Sequence, residues 1–181
     1  SVLRCWEVSF LARHSIGLND KKTIDKMTKS VTFTGHRYIP QSKRNDLCAK
    51  LEKAVMENYT KGVRNFLCGM AVGFDLLAAE VVLKAKKELP DIILTAVVPF
   101  RLQYERWTER DKLRYHFIIS RADKVVVLSE HYYNGCLLRR NDYMLSHCNG
   151  VIAYYDGTPK GGTYYTVRKA RQMKLPVLNL F

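Results

Sequence analysis

Two glycine-rich turns carry the residues best suited to chemistry: Gly69-Met70-Ala71-Val72-Gly73-Phe74-Asp75 and Lys160-Gly161-Gly162-Thr163. Each follows an apolar, strand-like run and leads into a helix-like one. A glycine turn at a helix N-terminus bares backbone N–H groups where the helix dipole favours negative charge. Two such turns in one chain point to a phosphate-bearing ligand, a nucleotide derivative. Glycines also serve tight connections with no ligand at all, so neither turn carries this reading alone. A third polar cluster, Thr34-Gly35-His36-Arg37, offers a hydroxyl, a turn, an imidazole and a fixed guanidinium suited to bidentate phosphate contact. Asp75 either caps the helix that follows it or accepts a ribose hydroxyl. Thr163 can cap its helix and also donate to a phosphate. His36 reads as a general base or as a hydrogen-bonded structural residue.

These residues need elements to position them, and from Val31 onward strands and helices alternate. Val31–Thr34, Asn65–Cys68, Ile92–Val98, Lys124–Leu128, Val151–Tyr155 and Val177–Leu180 read as strands. Between them, Ser42–Thr60, Asp75–Leu89, Gln103–Ala122, Leu137–Cys148 and Thr163–Met173 read as helices. That order predicts a Rossmann-like three-layer α/β/α sandwich with a mainly parallel sheet. In such sheets ligands bind beyond the carboxyl ends of the strands. The loops after the strands are indeed the chemically richer ones, and the loops before them (Leu89-Pro90-Asp91, for example) are plain. Tyr104 and Trp107 fall three apart within a predicted helix, poised either to stack on a base or to pack in the core. Arg139-Arg140-Asn141 reads as a solvent-facing group at a helix start.

The 181 residues are 47% hydrophobic and 26% charged, enough apolar material for one domain with a real core. Residues 1–26 lack a clear period and read as an N-terminal extension outside a single domain spanning 27–181. The cysteines (Cys5, Cys48, Cys68, Cys136, Cys148) are scattered, without a CxxC pair or zinc-like spacing, so free thiols and no metal site are expected. With no membrane-length apolar run and no convincing signal peptide, the expected location is cytoplasmic. The net charge of +13 attracts nucleic acid or any polyanionic small ligand. No dense Lys/Arg run interleaved with aromatics stands out, so nucleic acid is the less favoured partner. A homodimer is the prior for oligomeric state.

The motifs together resemble the YpsA-like branch of the SLOG superfamily, named for the SMF/DprA and LOG proteins. They are Thr34-Gly35-His36-Arg37; Gly69-x3-Gly73-x-Asp75-x2-Ala78-Ala79-Glu80; Pro99-Phe100-x2-Gln103-x3-Trp107; Arg140-Asn141-x-Tyr143-Met144; and Asp156-Gly157-x3-Gly161-Gly162-Thr163. The resemblance covers about Ser30 to Phe181. It implies a Rossmann-like fold holding a nucleotide-derived small molecule, ADP-ribose or NAD-related, as a sensor or regulatory module. On that reading the site comprises Thr34, Gly35, His36, Arg37, Gly69, Gly73, Asp75, Trp107, Gly161, Gly162 and Thr163. The LOG relatives are N-glycosidases of nucleoside monophosphates, whose second turn resembles Pro-Gly-Gly-x-Gly-Thr with a glutamate close behind. Here Gly161-Gly162-Thr163 runs into Tyr164-Tyr165-Thr166, with no glutamate. A glycosidase would have to substitute Glu80, Glu105 or Asp75, and the sequence does not choose among them. Single-stranded nucleic-acid binding, as in the DprA relatives, ranks third.

Overall fold

The computed structural model describes residues 28–181; the extension expected over residues 1–26 lies outside the described residues. The chain alternates β1 (Lys29–Gly35), α1 (Gln41–Thr60), β2 (Val63–Cys68), α2 (Phe74–Glu88), β3 (Ile93–Val98), α3 (Glu109–Ile119), β4 (Lys124–Val127), α4 (Cys136–Ser146), β5 (Val151–Tyr154), α5 (Gly161–Gln172) and β6 (Val177–Asn179). The six strands form one sheet in the order β4-β3-β2-β1-β5-β6, and every pairing is parallel. The inner strands are covered on both faces: β3 and β5 are accordingly near-continuous apolar runs, while β1 buries Thr32 and Thr34 among its apolar residues. Phe33, Phe66, Leu94 and Val98 meet α1, α2 and α3 on one face. Leu67, Val97 and Val151 meet α4 and α5 on the other. The result is the expected three-layer Rossmann-like α/β/α sandwich.

The strand order decides where a ligand can enter. From β1 to β4 the chain steps outward in one direction; it then returns across β1 to build β5 and β6. Successive right-handed crossovers in opposite directions put their helices on opposite faces, so the connections after β1 and β5 diverge and leave a crevice. The β1–β5 register (Thr34 beside Ala153, Gly35 beside Tyr154) sets the floor of that crevice.

One predicted helix is much shorter than expected. Residues 103–107 form turns, and α3 starts only at Glu109. Thr108 stops any earlier start: its Oγ accepts the Asp111 N–H (3.2 Å) and donates to Asp111 Oδ2 (3.0 Å), a reciprocal cap. Tyr104 and Trp107 therefore share a turn, closed by a Trp107 N–H to Tyr104 carbonyl bond of 2.9 Å, rather than a helix face.

Candidate functional site

A cleft of about 530 Å³ opens at the switch point. Its walls are the end of β1 (Phe33–Arg37), the turn after β2 (Ala71, Asp75), the segment after β4 (Tyr132, Asn134, Gly135), one face of α4, and Lys160–Thr163 at the start of α5. Eight of the residues expected from the sequence line it: Thr34, Gly35, His36, Arg37, Asp75, Gly161, Gly162 and Thr163. Gly69, Gly73 and Trp107 are not among its walls.

The two glycine turns, alike in sequence, differ in space. Gly73 (φ +84°) lies against the chain at Arg37, and a Cβ there would stand 2.1 Å from the Arg37 carbonyl oxygen. The same close approach lets the Phe74 N–H reach the His36 carbonyl at 3.1 Å. A Cβ on Gly69 would meet Asp75 Oδ2 at 2.8 Å and the Arg140 guanidinium at 3.0 Å. The first turn is thus filled by protein, and its glycines serve chain packing. The second turn is open. A Cβ on Gly161 would meet nothing within 4 Å, and one on Gly162 only Asn141 Nδ2 at 3.7 Å. Lys160 is the N-cap of α5 without a side-chain cap bond, so the first-turn N–H groups face an open, positively biased concavity. Thr163 does not cap the helix, as the sequence had allowed.

Beneath that concavity lies a buried polar cluster. Asp75, Arg140 and Asn141 are 6%, 6% and 7% exposed. Arg140 donates through Nη1 to the Gly69 carbonyl and through Nε to Asn141 Oδ1 at 2.8 Å. Asp75 Oδ2 accepts the Ala71 N–H at 3.2 Å, so it braces the preceding turn rather than capping the first turn of α2. Burial pushes the Asp75 carboxyl up to about 6, against the opposing pull of Arg140, the Ala71 N–H and Arg37. Burial likewise lowers Arg140 below its usual value, and Asp75 and Cys68 oppose that shift. Arg140 and Asn141, expected to face solvent, are in fact the floor of the cleft. The signal lay in the α4 stripe: Cys136, Arg140, Met144 and Asn141, Leu145 recur at i, i+4 spacing, so two polar residues occupy core-facing positions.

His36 and Arg37 form the opposite rim. The Asp156 N–H donates to His36 Nε2 at 3.1 Å, tying the end of β1 to the end of β5 across the crevice. The Thr158 N–H, with help from its hydroxyl, holds Asp156 below the usual carboxylate range. Arg37 is exposed at the rim of the opening. Tyr132, 64% exposed, stands at the mouth with its ring against Phe100, centroids 5.5 Å apart. Trp107 instead packs edge-on against Tyr115 (5.6 Å) at the margin of the main core.

Of the three carboxylates weighed for glycoside cleavage, Asp75 alone faces the cleft. Glu80 chelates Arg114 through 2.7 and 3.0 Å bonds, and Glu105 borders a separate depression with Phe100 and Leu102. Among the described residues no cluster of His, Cys, Asp or Glu is arranged to hold a metal ion.

An all-parallel sheet of this order, with an open helix N-terminus and a buried arginine at its switch point, defines a Rossmann-like α/β domain. The YspA SLOG family (YpsA) matches residues 40–176, and the chain belongs to that family. A UPF0398 protein of Halalkalibacterium halodurans is 33% identical over 129 residues, covering 69% of this chain and 68% of that protein. A UPF0398 protein of Bacillus pumilus is 28% identical over 124 residues, covering 67% of each. Among solved structures the chain is similar to DNA processing protein A of Helicobacter pylori, described for its single-stranded DNA binding mode. That likeness has a TM-score of 0.57 at 20% identity, over 88% of this chain and 68% of that one. It supports the fold alone. No described helix is long and apolar enough to cross a membrane.

Proposed function

We propose that the cleft binds a nucleotide-derived small molecule, ADP-ribose or NAD-related, and that the domain acts as a sensor or regulatory module. The observation that carries this reading is the open N-terminus of α5. Gly161 and Gly162 leave room for a phosphate group at a wall of the cleft built from helix N–H groups without a side-chain cap. Lys160 and Arg37 supply cations beside it. Thr163 lies at the same end, and Asp75 and Asn141 supply acceptors deeper in the cleft for ribose hydroxyls. Tyr132, rather than Trp107, is the aromatic face within reach of a base. A second reading, N-glycoside cleavage, rests on Asp75. A carboxyl pushed up to about 6 beside a bound ribose can exchange a proton near neutral pH.

A thermal-shift screen against ADP-ribose, NAD, AMP, ATP and cyclic nucleotides tests both. A ligand at 100 times its dissociation constant stabilises by about 2.7 kcal/mol, raising the melting temperature by about 5–11 °C at this size. A selective shift without release of free base supports the binding module; base release that vanishes in Asp75→Asn supports the enzyme. No shift with any nucleotide would return the open turn to a purely structural role.

A further inference from the structure

A second surface lies outside the cleft, on the exposed side of α5. From Gly157 to Phe181 the chain holds five Lys/Arg (Lys160, Arg168, Lys169, Arg171, Lys174) and no Asp or Glu. Among the described residues, Lys169 alone of these cations sits in an ion pair. Its Nζ lies 2.7 Å from Asp142, which also accepts the Tyr165 hydroxyl at 2.9 Å. Arg168, Arg171 and Lys174 are exposed and outside every ion pair of the described residues. At 3.6 residues per turn, Tyr164, Arg168 and Arg171 fall within about 60° of arc and about 10 Å of helix axis. They line one groove with Tyr155, Val167 and Gln172, whose volume is about 400 Å³. Arg168 also borders a neighbouring groove of about 360 Å³ with Tyr165 and Lys169.

The aromatic part of this face is braced for stacking. Tyr155 is 9% exposed, its hydroxyl anchored on the Thr158 carbonyl at 2.9 Å. Its ring backs Tyr164, centroids 6.5 Å apart. Tyr164 is half-buried and keeps part of its ring at the surface. Charge complementarity selects a polyanion. The tyrosine among guanidinium groups selects one with flat, unpaired bases, because stacking platforms flanked by cations hold single strands, whereas duplexes bury their base faces. The composition along the chain conceals this face, since its aromatic and basic residues are interleaved with Thr166, Val167 and Ala170, which point into the core.

We propose that the exposed face of α5 is a binding surface for single-stranded nucleic acid, with Tyr164 under a base and Arg168 and Arg171 on the phosphates. The surface is independent of the cleft reading. The test is fluorescence anisotropy of the full chain with a labelled 20-nucleotide oligothymidylate from 50 to 200 mM salt. Two phosphate contacts give a log–log salt slope of about −1.4 on a single strand. Arg168→Glu with Arg171→Glu should lower affinity at least tenfold and flatten the slope by about 1.4, leaving the thermal shift by mononucleotides unchanged. Tyr164→Leu should weaken binding at least fivefold at unaltered slope. A matching duplex should bind more weakly than the single strand. Equal affinity of wild type and the double variant overturns the proposal. So does equal displacement by polyglutamate, which would assign the face to an acidic protein. Binding lost in Gly162→Asp yet kept in the double variant would move the strand to the cleft and leave the mononucleotide reading standing.

Discussion

Gly162→Asp should make the protein no less stable and yet unable to bind an anion. The Cβ introduced at Gly162 meets only Asn141 Nδ2, at the ordinary contact distance of 3.7 Å, and its φ lies outside the glycine-favouring region. Replacing a glycine in a compatible conformation restricts the unfolded chain and stabilises by about 0.4–1 kcal/mol. A carboxylate in the first turn of α5 adds about 0.3–1 kcal/mol through the helix dipole. The two terms together predict a melting temperature unchanged or raised by a few degrees. The same carboxylate occupies the position and the charge a ligand phosphate would take, so the nucleotide-induced shift of several degrees should disappear. Gly73→Ala is the counterpart in the other turn. Its Cβ would stand 2.1 Å from the Arg37 carbonyl oxygen at φ +84°. Strain at a glycine-only conformation and overpacking each cost about 1–3 kcal/mol, so a loss of about 4 kcal/mol and of about 8–16 °C is expected. Both variants are read by urea and thermal unfolding with and without nucleotide. A destabilised Gly162→Asp, or a Gly73→Ala as stable as wild type, would refute the division into one open turn and one filled turn. Nucleotide binding retained by Gly162→Asp would refute the cleft assignment.

Other consequences follow from the buried cluster and from Trp107. Burial raises the Asp75 carboxyl from 3.8 to about 6, so the folded state holds its proton more tightly than the unfolded chain by about 3 kcal/mol. That contribution is fully present below pH 4 and is lost as pH rises through about 6. The stability difference between wild type and Asp75→Asn, from urea unfolding at a series of pH values, should fall by up to that amount between pH 4 and pH 7; a flat difference refutes the shift. Arg140→Met strands the Asp75 carboxylate and the Gly69 carbonyl, costing about 3 kcal/mol at pH 7 and less near pH 5, where Asp75 takes up a proton. A loss independent of pH would show that the two side chains are not coupled. Trp107→Leu should cost about 2 kcal/mol through its lost packing on Tyr115, while nucleotide affinity stays within twofold of wild type. A larger drop in affinity would return Trp107 to the site.

The alternation of strands and helices, and hence the layered fold, is written in the sequence. Continuous apolar runs such as Ile93–Val98 can exist only with both faces covered, and the connections between them match the spacing of parallel crossovers. The ends of β1 and β5 and the start of α5 were legible for the same reason: strand ends and helix starts are local events, marked by Thr34-Gly35-His36-Arg37 and by Gly161-Gly162-Thr163. The reciprocal cap of Thr108 and Asp111 is also local and could have been read, which would have taken Trp107 off its supposed helix face. Other features belong to the tertiary structure. The return of the chain across β1 opens the crevice, and no residue near β1 announces it. Gly73 and Gly162 look equivalent along the chain, and only the approach of Arg37 to one of them separates a packing glycine from an open one. Arg140 and Asn141 fall on the core-facing stripe of α4, but what makes a guanidinium tolerable there is tertiary: α4 docks over β1–β3, where Asp75 and the Gly69 carbonyl compensate it. Local propensity decides which elements form. Burial and charge at their meeting points depend on distances between residues far apart in the chain, and these exist only once the sheet has assembled.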